Sequence, residues 1–320
     1  MILTGRNFRR LIRALFIVTL LPLLAGTGHS SFTMKAYAQS PTEVAREQAA
    51  AQLARLTPEE RIGQLFIVTF QGSEVSPNSP VYTLISDYHV GGVVLLARND
   101  NIVDSVSLPS TTSEQVNNLI QQLQTIEWDS SLFPQENQES GESSLPNYIP
   151  LLVGIPQEGD GYPYDQILTD VTTLPNEMAL GATWTPDLAS QAGAVLGKEL
   201  SALGFNLVLG PVLDVLEPPE LETAINLGTR TFGGDPFWVG EMGRAYVRGV
   251  HQGSNGQVAV VAKHFPGHGS SDRLPEEEVA TVRKSLDELS SFDLAPFLAV
   301  TGNASSVEEI ADALLTSHIR

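Results

Sequence analysis

From residue 65 onward, short apolar runs alternate with stretches whose apolar residues recur at helical spacing. Leu65–Phe70, Gly91–Leu96, Ile149–Ile155, Asn206–Val215, Val258–Ala262 and Ala313–Ile319 read as strands one to six. Between them, residues 112–126 place Val116, Leu119, Ile120 and Leu123 on one face, which predicts a helix. Thr185-Pro186 opens another helix, with Leu188, Ala192, Val195, Leu196 and Leu203 in phase and Gly204 ending it. Asp235-Pro236 opens a third. Thr57-Pro58-Glu59-Glu60 and Ser285-x-x-Glu288 are capping boxes. Strands that are continuous apolar runs and alternate with helices belong to a parallel sheet covered on both faces. The expected fold class is α/β, a TIM-type (β/α) barrel. Six βα units can be counted where a closed barrel takes eight, so the barrel is expected to be incomplete. A six-stranded doubly wound sheet is the alternative.

Two stretches depart from this rhythm. Residues 1–38 carry a basic segment from Arg6 to Arg13, an apolar core from Ala14 to Gly26, and Ala36-Tyr37-Ala38, a small-x-small cleavage pattern. They read as a secretory signal, with an uncleaved anchor as the alternative; either puts the folded part outside the cytoplasm. Residues 39–56 form an Ala- and Gln-rich lead-in, and residues 57–320 the barrel. Residues 127–147 are acidic and Ser-rich with two prolines, and are expected to be a mobile surface insertion without catalytic duty, a sugar contact by Trp128 being the lesser alternative.

Charge and cysteine narrow the classes. The 320 residues carry a net charge of −19; the first 38 hold five positive charges and no acid, which leaves −24 on the rest. Such a surface repels nucleic acid and anionic membrane and suits a neutral or cationic ligand. The chain has no cysteine, which excludes disulfides, thiolate nucleophiles and Cys-ligated zinc.

The chemistry gathers at strand ends. Lys263 and His264 stand where strand five should finish, and Phe265-Pro266-Gly267 turns the chain toward His268 and Gly269. Strand three is followed by Gln157-Glu158-Gly159-Asp160-Gly161, and strand four runs into Gly210-Pro-Val-Leu-Asp214. The loop 228–235 contains Arg230 and Asp235. On one barrel rim, Asp214, Arg230, Lys263 and His264 would converge on a small polar ligand such as a sugar. Each also has a plainer role: Asp214 as a loop cap, Arg230 in an ion pair with Asp235 or Asp214, Glu158 as a solvated turn residue. His264, His268 and Asp272 are spaced by four, as metal ligands on a helix would be, but Pro266 and Gly267 break any helix, so no metal is expected. A Gly-x-Ser-x-Gly elbow is lacking, and no phosphate-binding glycine loop follows a strand.

The run Lys263-His-Phe-Pro-Gly-His-Gly269 resembles the signature of the glycoside hydrolase family 3 amino-terminal domain, nearest its β-N-acetylhexosaminidase branch. Segments 60–70, 91–96, 150–161, 206–235 and 258–269 are similar to family segments in the same order. The resemblance implies hydrolysis of terminal β-linked sugars with retention, no cofactor, and a carbohydrate as partner. It implies that Arg230, Lys263 and His264 bind sugar hydroxyls, with Asp214 and His268 beside the pocket. Three departures stand out. Pro156 replaces the usual sugar-binding Asp of strand three. Asp272 is matched to the acid/base loop, but no His follows it. The nucleophile Asp belongs to a seventh strand, expected beyond Arg320. A non-catalytic sugar-binding protein is therefore the rival reading. The sequence leaves the oligomeric state open.

Overall fold

The computed structural model describes residues 41–103, 111–136, 141, 143–216, 227–269, 279 and 281–319. The chain divides into two units, Met1–Gln52 and Leu53–Arg320. In order, the elements are α1 Pro41–Leu53, α2 Pro58–Gly63, β1 Ile67–Val68, α3 Pro80–Ser86, β2 Gly92–Val94, α4 Thr112–Ser130, β3 Gln135–Glu136, β4 Ser143–Ser144 and β5 Leu152–Ile155. They continue with α5 Glu177–Gly181, α6 Pro186–Leu203, β6 Leu207–Val212, α7 Pro236–Gly253, β7 Ala259–Phe265, α8 Leu286–Ser291, α9 Leu294–Ala299 and β8 Ala313–Thr316.

Six parallel strands form one sheet in the order β1-β2-β5-β6-β7-β8, while β3 and β4 make a separate antiparallel pair. Strand order in the sheet follows chain order without a reversal. A doubly wound sheet would reverse at a switch point, so that alternative fails. The arrangement is that of a (β/α) barrel, incomplete among the described residues, with β1 and β8 at its edges. Leu65, Phe66 and Ile67 are exposed at one edge and Leu315 at the other, as an unclosed sheet requires. Among the described residues no helix is long and apolar enough to cross a membrane.

The core lies between sheet and helices. Val93, Val153, Ile155, Val208 and Val260 fill it from the strands, Leu95 from just beyond β2, and Val116, Leu119, Ile120 and Leu123 from α4. The helices α6 and α7 cross closely at glycines: a Cβ on Gly197 would lie 2.3 Å from the Val250 carbonyl oxygen. Capping follows the sequence, with Thr57 and Ser285 in complete capping boxes and Gly204 left-handed after α6.

Several boundaries differ from the pattern. Strand three begins at Leu152 rather than Ile149, because the Ile149 and Leu151 amides donate to Glu127 and Gln124 of α4 instead of to a strand. The helix α4 runs to Ser130, so Glu127 and Trp128 belong to it; Glu127 is buried, and Trp128 packs edge-on to Tyr148 at 5.0 Å. The fifth predicted strand, β7, extends to Phe265, which places Lys263 and His264 inside it rather than after it. The signal segment and Asp272 lie outside the described residues.

Candidate functional site

The first functional group is set by a loop that folds back on itself. Beyond β5 the Asp165 carboxylate accepts from the amides of Glu158 (2.5 Å), Gly159 (2.8 Å) and Gly161 (2.8 Å). Gln157 closes the loop further through Ile167. Glu158 is thereby driven inward, and its side chain is buried. Its Oε2 accepts from Arg230 Nε at 2.6 Å and its Oε1 from Arg230 Nη2 at 3.1 Å; Oε1 also meets Lys263 Nζ. The Arg230 guanidinium lies 3.8 Å over the Tyr164 ring. Two expectations are corrected here. Glu158 is no solvated turn residue, since three amides on Asp165 hold its loop against the sheet. Arg230 pairs with neither Asp235 nor Asp214: Asp235 caps α7 through the Trp238 amide.

The second group forms around Asp214. This carboxylate is fully buried and accepts from His264 Nδ1 at 2.7 Å and from the His268 amide at 2.9 Å. The His268 Nε2 stands 3.6 Å away, the two imidazoles stack at 4.1 Å, and His268 Nδ1 reaches Ser317 Oγ at 3.3 Å. Neighbouring residues of a flat strand point to opposite faces. Here a register shift between Lys263 and Phe265 re-aims the chain, and Lys263 and His264 both find carboxylates.

Electrostatics explain how these charges stay indoors. Burial works against ionisation of Glu158, but the Lys263 and Arg230 charges outweigh it and hold the carboxyl below its ordinary range. Burial likewise opposes Asp214, and His264 and His268 lower it nonetheless. Arg230, desolvated but paired with Glu158, is held above its ordinary value.

Glu177 joins this centre without having been anticipated. It is the first residue of α5, buried, and its Oε1 accepts from the Val212 amide at 2.9 Å. Burial first, then the Glu158 charge, push its carboxyl well above the ordinary range. In sequence, a Glu after the N-cap Asn176 is indistinguishable from a surface residue favoured by the helix dipole.

The structure thus brings together every predicted site residue it describes: Arg230 and Lys263 on Glu158, His264 and His268 on Asp214. Their heads are nearly enclosed; His264, the most open, has 11 % of its side chain exposed. A cavity of about 110 Å³, lined by Gln157, Gly159, Asp165, Leu174, Leu196 and Leu200 among others, holds none of the four. Residues 217–226 and 270–278 lie outside the described residues. The turn at Pro266-Gly267 stacks the two imidazoles, and among the described residues Asp214 completes with them a set whose ligand atoms lie within 4.8 Å of one another.

A beta-hexosaminidase of Hydrogenovibrio crunogenus is 34% identical over 134 residues, covering 42% of this chain and 34% of that protein. A beta-N-acetylglucosaminidase/beta-glucosidase of Cellulomonas fimi is 31% identical over 224 residues, covering 69% of this chain and 31% of that protein. The solved structure of a glycoside hydrolase family 3 beta-N-acetylglucosaminidase from Paenibacillus superposes with a TM-score of 0.65 at 30% identity, covering 82% of this chain and 42% of that one. The chain spans about a third of the length of these two curated relatives. Residues 57–320 match the model of the glycosyl hydrolase family 3 N terminal domain, and the chain belongs to that family.

Proposed function

We propose that this chain carries the sugar-binding part of a glycoside hydrolase acting on the O-glycosyl bonds of terminal β-linked sugars, of β-N-acetylhexosaminidase or β-glucosidase type. The observation that carries this reading is the cation–carboxylate–cation array at the carboxyl end of the sheet: Arg230 and Lys263 sharing the buried Glu158. A pyranose presents hydroxyls that both donate and accept, and such an array offers charged donors beside a charged acceptor. Arg230, Lys263 and His264 bind ring hydroxyls. Asp214 fixes the orientation of His264, and His268 braces the pair. Active sites of this architecture lie at the strand ends where these residues gather.

Retaining hydrolysis takes a carboxylate nucleophile and a proton donor. The Glu158 and Asp214 carboxylates, both held below their ordinary range, are engaged with cations or imidazoles. That observation favours a second reading, sugar binding without turnover. Asp272, which follows β7 in sequence, is the proposed contributor to proton transfer. The two readings separate on incubation with 4-nitrophenyl N-acetyl-β-glucosaminide and 4-nitrophenyl β-glucoside. Release of nitrophenol by the protein, lost in Asp272→Asn, supports hydrolysis. Binding of N-acetylglucosamine or glucose without release supports the second reading, and neither binding nor release overturns both.

We also propose that residues 1–38 direct export and are removed after Ala38, so that the protein works outside the cytoplasm. The basic segment, apolar core and small-x-small site support this. Amino-terminal sequencing of the protein recovered from the medium or cell envelope tests it; a retained Met1 on cytoplasmic protein contradicts it.

A further inference from the structure

The rim that holds the charge cluster also holds an aromatic pair with no part in it. Trp184 and Trp238 stack in an offset, tilted pair, with ring centroids 5.1 Å apart and planes at 32°. Trp184 immediately precedes Thr185, the N-cap of α6, and Trp238 lies in the first turn of α7. Helices that follow parallel strands begin at the carboxyl ends of those strands, so both indoles belong to the rim carrying Arg230 and Lys263. The chain entering Trp184 lies against the Arg230 loop. The Met178 amide donates to the Thr229 carbonyl at 3.0 Å, and a Cβ on Gly181 would fall 1.9 Å from the Phe232 carbonyl oxygen.

Two independent features mark Trp184. The residue is 64% exposed, a large apolar side chain open to solvent. Its φ is +53°, a left-handed conformation that a bulky residue adopts only when its surroundings impose it. The surroundings do so: the Trp184 amide donates to Gly181 O (3.1 Å), Thr183 Oγ1 to Leu180 O (2.6 Å), and the Thr185 amide to Thr183 Oγ1 (3.2 Å). The turn therefore fixes the ring in an outward position at a conformational cost, and Trp238 backs it.

We propose that Trp184, backed by Trp238, is a second carbohydrate platform on this rim, taking a further unit of an uncharged β-linked glycan. The inference rests on the carbohydrate reading of the Arg230–Lys263 cluster. A pyranose in β-linkage shows a flat face of axial C–H groups, which suits an exposed indole better than any charged group. Nucleobases stack on indoles as well, but a chain of net charge −19 repels the phosphates that carry them. Asp187 and Asp235, in the helix starts beside the two indoles, add local negative charge that disfavours an anionic polymer.

The chain has three tryptophans, Trp128, Trp184 and Trp238, which makes the test direct. In Trp128→Phe, indole emission reports the pair alone. Titration of this variant with chitohexaose and with cellohexaose is expected to give a saturable blue shift with at least one of them. Adding Trp184→Ala is expected to weaken that hexaose roughly tenfold or more, the order of loss when one aromatic stacking contact is removed. No spectral change with either hexaose overturns the platform, as does equal affinity in the presence and absence of Trp184. A blue shift that grows with protein concentration in the absence of sugar marks self-association and also overturns it. A sugar-dependent shift without turnover of the nitrophenyl substrates leaves the platform standing while removing the hydrolase reading. Turnover with no shift does the reverse.

Discussion

Arg230 grips Glu158 with two nitrogens, Nε at 2.6 Å and Nη2 at 3.1 Å, across 72 residues of sequence and almost out of reach of solvent. Lys263 closes on the same carboxylate from β7. One buried anion thus bridges two buried cations, the three groups coming from three strand ends. Glu158→Gln removes that anion and leaves both cations uncompensated. The expected loss is about 3–5 kcal/mol of folding stability, the cost of breaking a buried ion pair from one side. Urea denaturation measures it, and an unchanged midpoint would mean that the cluster does not hold the sheet ends together.

Acid stability follows from the same arrangement. The folded pKa values of Glu158 and Asp214 both lie below their ordinary values, after burial has been outweighed by their cationic or imidazole partners. A depressed carboxylate contributes stability above its unfolded pKa, about 4 for both types, and that stability is lost as pH falls through the folded value. The melting temperature of the protein is expected to drop steeply below about pH 4 on this account. Asp214→Asn should lower stability at pH 7 and flatten the acid limb in thermal melts across pH.

Glu177 behaves in the opposite sense. Its carboxyl is raised, by burial and then by Glu158. A raised acid contributes stability fully below its unfolded pKa and loses it as pH rises toward the folded value. Glu177→Gln keeps the shape and the acceptor for the Val212 amide while removing the ionisation. The variant should melt about 2–4 °C higher than the parent at pH 8, the shift that about 1 kcal/mol produces in a domain of this size, with no gain at pH 4. A gain at both pH values would show that ionisation is not the cause.

Close approach of backbone to backbone fixes the Arg230 loop. Gly181 has no room for a side chain, its Cβ position lying 1.9 Å from Phe232 O, whereas Gly302 faces open space. Gly181→Ala should cost about 1–3 kcal/mol by overpacking and weaken sugar binding as the loop shifts. Gly302→Ala should leave both unchanged. Calorimetric melts and sugar titrations on the two variants compare them directly.

What the amino-acid pattern could and could not foretell divides along one physical line. Apolar runs marked all six parallel strands: the inner ones are covered on both faces and must be continuously apolar, and the partly exposed edge strands β1 and β8 share the pattern. Arg230, Lys263, His264 and Asp214 were legible because charges at the ends of such runs have few structural uses. Glu158 and Glu177 were not. A glutamate in a Gly-rich turn looks solvated, and only the fold-back of the loop onto Asp165 carries Glu158 inward. The partner of Arg230 was misjudged for the same reason: Asp235 is near in sequence, Glu158 near in space. Lys263 and His264 fall inside β7 rather than past it because the Leu213 amide donates to the Lys263 carbonyl at 2.6 Å, a cross-strand bond that no single segment reveals.

The central claim is that the Arg230–Glu158–Lys263 cluster receives a sugar. Isothermal titration of N-acetylglucosamine and of glucose into the protein and into Lys263→Met tests it most directly, since Met keeps the apolar stem and Arg230 still pairs Glu158. The account predicts a folded variant whose sugar affinity falls about tenfold or more, the loss of one charge-assisted hydrogen bond worth about 1.5–3 kcal/mol. Equal affinity in a variant that melts like the parent, or no binding by the parent at all, would contradict it.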